Sequence, residues 1–206
     1  MKTFSFNEYN KKEFWDKRAT ALLNQNINYP NEINQYVIDR KVWIISEMIE
    51  HFKPLHVADA GCGSGGVLIP LVKKYPKIQF YGFDFSRENI RTLRNDDYGR
   101  RVLTDVTDIS ERIGYMKNSF DLLYSFDVFC HLKFDRIPKA IKIFNRVAKR
   151  SYYIFDSCEY TIMPYYYFLF SRILPKKSAI KFALKYTKKV EENKLPEMRG
   201  LMYEND

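Results

Sequence analysis

Residues 57–66, Val-Ala-Asp-Ala-Gly-Cys-Gly-Ser-Gly-Gly, constrain the fold more than any other stretch of this chain. Small and apolar residues run into an acid, then into a glycine-rich turn. An apolar helical pattern follows over 67–75. The order predicts a buried strand, a tight turn and a helix. Without side chains, Gly61, Gly63 and Gly65 let the backbone bend sharply and let a ligand lie against it. A helix that starts there points free N–H groups at whatever rests on the turn. The spacing Gly61-x-Gly63-x-x-Gly66 also satisfies a dinucleotide fingerprint, so the turn alone leaves the ligand open.

The flanking sequence supplies the frame. Strands are predicted at 55–60, 78–84, 101–105, 120–127 and 151–156. Helices are predicted at 65–75, 86–96 and 134–149, with a short piece near 109–116. Strand–helix alternation of this kind builds a parallel sheet covered on both faces. Ligands then sit at the carboxyl ends of the strands, near the switch in strand order. Residues 1–53 read as a helical segment, with one helix beginning near 13–19 and another over 33–52. Met198 to Tyr203 reads as a further strand.

Acids stand where the predicted strands end. Asp59 precedes the turn, Asp84 ends the second strand and Asp105 ends the third. An acid at the position of Asp84 can accept hydrogen bonds from a ribose diol, or can serve as a helix cap in competition with Ser86. The fourth strand reads Phe-Asp-Leu-Leu-Tyr-Ser-Phe-Asp-Val-Phe-Cys-His-Leu over 120–132.

Taken together, Asp59-x-Gly61-x-Gly63-x-Gly65, Asp84, Asp105-Val106 and the 120–132 segment resemble the class I S-adenosylmethionine-dependent methyltransferases of small-molecule type. The resemblance implies an α/β, Rossmann-like, mostly parallel sheet with helices on both faces and an N-terminal helical cap. Only five strands and a possible sixth are readable, so the usual C-terminal hairpin is expected to be incomplete. The implied cofactor is S-adenosyl-L-methionine. Its implied contacts are Asp59, Gly61, Cys62, Gly63 and Gly65 on the turn, Asp84 and Phe85 at the ribose, Asp105 and Val106 at the adenine, and Ser125 at the amino group. Trp15 and Arg18 would close over it from the cap. His131 and Asp127, beyond the fourth strand, are the candidates for catalysis. His131 reads equally as packing. Asp127 with Asp156 could hold a hard cation, but Asp156-Ser157 replaces the Asp-Asn pair of catechol-type relatives, and no metal is expected.

Composition narrows the partners. The chain has 206 residues, is 46% hydrophobic and 17% aromatic, and carries a net charge of +9. That suits one domain with a sizeable core. Between Glu159 and Glu191 there is no acid, and seven Lys and Arg residues lie there, so the excess charge belongs to one segment. Nucleic acid is therefore not the expected partner. Residues 54–159 would form the cofactor-binding core, and 160–206 an aromatic and basic lid or appendage. Contact of 160–190 with a membrane surface, or a homodimer, would also use this segment. Three cysteines without Cys-x-x-Cys spacing fit a cytoplasmic protein. The expected activity is methyl transfer to an oxygen or nitrogen of a small molecule: a sugar, a glycan precursor or a specialised metabolite. The rival readings are an RNA methyltransferase that uses the basic segment, and a non-catalytic subunit of methyltransferase fold.

Overall fold

A computed structural model describes residues 12–24, 32–133, 135–154 and 200–204. Two helices come first, α1 (Lys12–Asn24) and α2 (Glu32–Phe52). Strand–helix alternation follows with β1 (His56–Ala60), α3 (Leu68–Lys74), β2 (Gln79–Asp84), α4 (Arg87–Asn95), β3 (Leu103–Val106), β4 (Leu122–Phe126), α5 (Ile137–Val147) and β5 (Arg150–Ile154). A last strand, β6, spans Gly200–Glu204.

The strands form one sheet in the order β3-β2-β1-β4-β5-β6. The first five are parallel, and β6 pairs antiparallel to β5, Ser151 facing Tyr203 in register. Strand order reverses between β1 and its neighbours β2 and β4. Loops after β1 and β4 therefore diverge and leave a crevice at the carboxyl end.

Alternation along each strand divides the core between two faces. Val57 of β1 with Leu122, Tyr124 and Phe126 of β4 point to one face. There they meet Ile44, Ile45 and Met48 of α2, Leu68 and Leu71 of α3, and Ile90 and Leu93 of α4. Ala58, Ala60 and Leu123 point the other way, onto Ile137, Ala140, Ile141, Phe144 and Val147 of α5. The α5 residues recur at three- and four-residue spacing, which lines one side of a helix. Burial of these side chains stabilises the fold by about 25 cal/mol per Å² of apolar surface removed from water.

Three sequence expectations meet different outcomes. The β6 strand forms close to where it was predicted. The short helix near 109–116 does not form. Asp108 there accepts from the Ser110 amide at 2.9 Å and its hydroxyl at 2.6 Å, and Thr107 donates to the Arg112 carbonyl at 2.7 Å. Side chains have taken over backbone partners, which favours turns over helix. The aromatic and basic stretch 160–190 lies outside the described residues, as does Asp156. No described helix is long and apolar enough to cross a membrane.

Candidate functional site

The glycine turn follows β1 directly. Gly61, Gly63 and Gly65 have φ of +88°, +53° and +92°, the left-handed region that favours glycine. Their surroundings differ. A Cβ on Gly61 would lie 2.0 Å from Val128 Cγ2, and one on Gly65 would lie 2.6 Å from Leu93 Cδ1. A Cβ on Gly63 would meet nothing within 4 Å. Gly61 and Gly65 are thus glycines for packing, whereas Gly63 borders open space. Gly61 and Cys62 donate backbone N–H bonds to the Phe83 carbonyl at 2.7 and 3.0 Å, tying the turn to β2.

Cys62 turns inward. Its side chain is buried in the core beneath the turn and lies against Gly82, where a Cβ would come within 3.0 Å of the sulfur. Burial pushes its thiol pKa well up, and the nearby Asp59 adds to the shift. The backbone of this residue is the part that faces the turn.

Asp84 anchors the second wall. Its Oδ2 accepts from the Gly63 amide at 2.9 Å, and Oδ1 accepts from the Ser86 amide at 2.8 Å. Ser86 caps α4 by accepting from the Asn89 amide at 3.2 Å, so the cap role falls to Ser86 and leaves Asp84 to the turn. Burial raises the Asp84 pKa against the pull of those amides. Phe85 is half-buried beside it.

Asp59 lies deeper. It pairs in register with Tyr124 on the face covered by α2. Burial pushes its pKa up to about 8; the Tyr124 hydroxyl and Lys41 pull it back, while Asp84 and Asp127 push it further. The buried Tyr124 hydroxyl acts as a neighbouring dipole, since its geometry stops short of a hydrogen bond. Ser125 is fully buried and donates to the Ala60 carbonyl at 2.6 Å, bridging β4 to β1.

Asp127 follows β4 with φ of +58°. This conformation is uncommon outside glycine, asparagine and aspartate, and it re-aims the chain at the mouth. Asp127 forms an ion pair with Lys41 of α2. The next residue, Val128, is the one packed on Gly61, so Asp127 borders the glycine turn.

The N-terminal helix crosses the crevice from one wall to the other. Asp16 of α1 accepts from the Ser86 hydroxyl at 2.6 Å and from the Glu88 amide at 3.4 Å, at the start of α4. Trp15 packs edge-on against His131 after β4, with ring centroids 4.9 Å apart. The cap is therefore fastened on both sides of the turn. Arg18 lies on the same helix, and its side chain is outside the described set.

Asp105 sits one strand farther out. It pairs in register with Phe83 and is exposed, while Val106 pairs with Asp84. Gly63, Asp84, Asp59, Asp127, Ser125 and His131 thus gather at the carboxyl ends of β1, β2 and β4, with Asp105 and Val106 on β3 at the rim. Among the described residues no group of three His, Cys, Asp or Glu side chains could hold a metal ion.

Sequence reasoning missed Asp16, Lys41 and Tyr124. Lys41 carried a readable signal, because it falls in phase with Ile44, Ile45 and Met48 on the apolar stripe of α2. A lysine on that stripe must be buried and needs a counter-ion.

Comparison with known proteins shows what this frame is similar to. Residues 57–151, slightly under half of the chain, match a family model described as a methyltransferase domain. O-methyltransferase 3 of Dictyostelium discoideum is 32% identical over 82 residues, which is 39% of this chain and 18% of that protein. Magnesium protoporphyrin IX methyltransferase from Synechocystis PCC 6803, solved with bound S-adenosylhomocysteine, superposes with a TM-score of 0.60. It is 17% identical and the match covers 95% of this chain and 98% of that one. A TehB-like S-adenosylmethionine-dependent methyltransferase from Corynebacterium glutamicum gives 0.55 at 20% identity, covering 79% and 82%. At these identities the property shared with the solved structures is the fold. Residues 57–151 are thus similar to a methyltransferase domain, and the sheet with its helices shares the fold of these solved methyltransferases.

Proposed function

We propose that this chain is an S-adenosylmethionine-dependent methyltransferase whose acceptor is an oxygen or nitrogen of a small molecule. The carrying observation is Gly63. It holds a left-handed φ, faces open space and donates its amide to the strand-end acid Asp84. A packing role would have filled that space, as it has at Gly61 and Gly65.

The residues suit the cofactor. Asp84 retains acceptor capacity on Oδ2 for a ribose hydroxyl, and Asp105 with Val106 stands at the rim where the adenine would lie. The backbone of 61–65 would pass under the methionine part, and Ser125 would stand beside it. A sulfonium is cationic, and acids around the crevice suit a cationic guest. When bound, the cofactor supplies an electrophilic methyl group to the acceptor's lone pair.

The chain's own work is then positioning. Trp15 and Asp16 hold α1 across the crevice, which keeps water out and fixes the acceptor near the methyl group; such proximity supplies much of the acceleration. His131, edge-on to Trp15, would take the acceptor's proton. The small-molecule reading draws support from relatives named for O-methylation and for a porphyrin acceptor. A sugar, a glycan precursor or a specialised metabolite remains the proposed acceptor class. The test is transfer of labelled methyl from S-adenosylmethionine into fractionated cell extract. Label in a low-mass fraction supports the reading, label in RNA replaces its acceptor class, and label in no fraction counts against catalysis.

A further inference from the structure

The connection from β3 to β4 forms turns where the other crossovers of the parallel sheet form helices. On the face that α5 covers at β1 and β4, this leaves part of β2 and β3 under side chains alone. Those side chains are apolar. Tyr81 of β2 faces Leu103 of β3 in register. Tyr115, from the connection, packs edge-on to Tyr81 with ring centroids 5.6 Å apart, and Met116 follows it. Leu103 is 51% exposed and Met116 82% exposed, while both tyrosines are half-buried. Contiguous apolar surface of this kind marks a contact site. The outer edge of β3 is sealed at Thr104, where Arg94 of α4 donates to the hydroxyl at 2.6 Å and to the carbonyl at 3.0 Å. A strand edge whose carbonyl is already bonded is a poor template for another strand. A partner therefore comes over the face.

The charges beside Leu103 say which partner. Arg101 stands exposed at the entry to β3, and Asp105 stands exposed two residues beyond Leu103. Val102 is buried and extended, with φ of −86° and ψ of 130°, so Arg101 lies on Leu103's side of the chain. Asp105 shares the face of Leu103 by strand alternation. A cation, an apolar residue and an anion thus follow in order. Arg101 gives one of its five N–H donors to the Pro76 carbonyl at 2.9 Å, which steadies the side chain. The same row turned antiparallel by a two-fold axis at Leu103 is complementary to itself. We propose that two copies of this chain stack face to face through this surface. Leu103 meets Leu103 on the axis, each Arg101 meets the other copy's Asp105, and the tyrosines and Met116 fill the centre. A parallel copy would set like charges against each other, and an anionic membrane would meet Asp105. The charge pairs lie at the rim, so they fix orientation more than affinity. With a small apolar centre, the dimer is weak and depends on concentration.

The test is sedimentation velocity of the full chain from about 5 to 500 µM, the range of a weak protein–protein contact. The wild type should pass from monomer to dimer across it. Leu103→Lys places two ammonium groups on the axis and should weaken association about ten-fold or more. Arg101→Glu and Asp105→Arg should each weaken it by a similar factor, since the axis repeats every change. Both charge reversals in one chain should bring association back to within about three-fold of wild type. An equimolar mixture of the two single variants should form a mixed dimer. All three side chains are exposed, so the changes leave the core intact. A wild type that stays monomeric at the highest concentration overturns the proposal. So does unchanged association in Leu103→Lys, or a double reversal that associates no better than the single ones.

Discussion

The two ends of the sheet treat their acids in opposite ways. At the amino end, Asp121 accepts from the Leu55 and His56 amides at 2.9 and 3.0 Å and pairs with Lys149 at 2.7 Å. Burial alone would raise its pKa, but Lys149 and the two amides outweigh it and hold the carboxyl below its ordinary range. At the carboxyl end, burial wins over the neighbours of Asp59 and Asp84 and pushes both up. Asp127 there sits in a left-handed conformation with one oxygen unmatched. Acids at the first end stabilise the fold. Acids at the second cost stability, and such costs concentrate where a ligand is to be met.

The largest expected effect separates the glycines within the second end. Gly61→Ala forces a Cβ into Val128 at a left-handed φ and should destabilise the chain by about 3 kcal/mol. Gly63→Ala meets no neighbour and should cost about 1 kcal/mol from φ alone, while weakening cofactor affinity much more. Thermal melts and calorimetry on both variants check this. Equal melting losses would erase the distinction between packing and ligand glycines.

Next comes the contrast between acids. Asp121→Ala removes three polar contacts and should lower stability by about 2 kcal/mol with cofactor binding intact. Asp84→Asn should do the reverse, weakening S-adenosylhomocysteine about ten-fold with a smaller change in melting. A swap of these outcomes would show that the two ends have been assigned the wrong way round.

The smallest effect is in pH. Burial pushes the Asp59 carboxyl up from its ordinary 3.8 to about 8 in the folded chain. Between those values the native state binds the extra proton, so stability falls as pH rises. Urea melts from pH 5 to 8 should show a shallower decline in Asp59→Asn than in wild type. Parallel slopes would mean that Asp59 is not held protonated by burial.

How far the sequence carries the account depends on whether a residue's partner is local. The parallel sheet and its strand ends were legible because alternation and glycines are read within a few residues. The turn, Asp84 and the 120–132 strand were found that way. Asp16 and Lys41 were not, because their partners are distant: Asp16 meets Ser86, and Lys41 meets Asp127. The short helix expected near 109–116 failed because Asp108 and Thr107 bond to nearby groups that helical periodicity does not reveal. The Cys62 side chain points into the core, which its place on a turn does not reveal, since a turn residue can point inward as readily as toward the ligand.

The central claim is that the open glycine and the costly acids at the carboxyl end exist to hold one cofactor. The most direct measurement is titration calorimetry of the wild-type chain and Asp84→Ala with S-adenosylmethionine and S-adenosylhomocysteine. The account predicts saturable, one-to-one binding of both ligands by the wild type and clearly weaker binding by the variant. Absence of binding by the wild type, or equal affinity in Asp84→Ala, would contradict it.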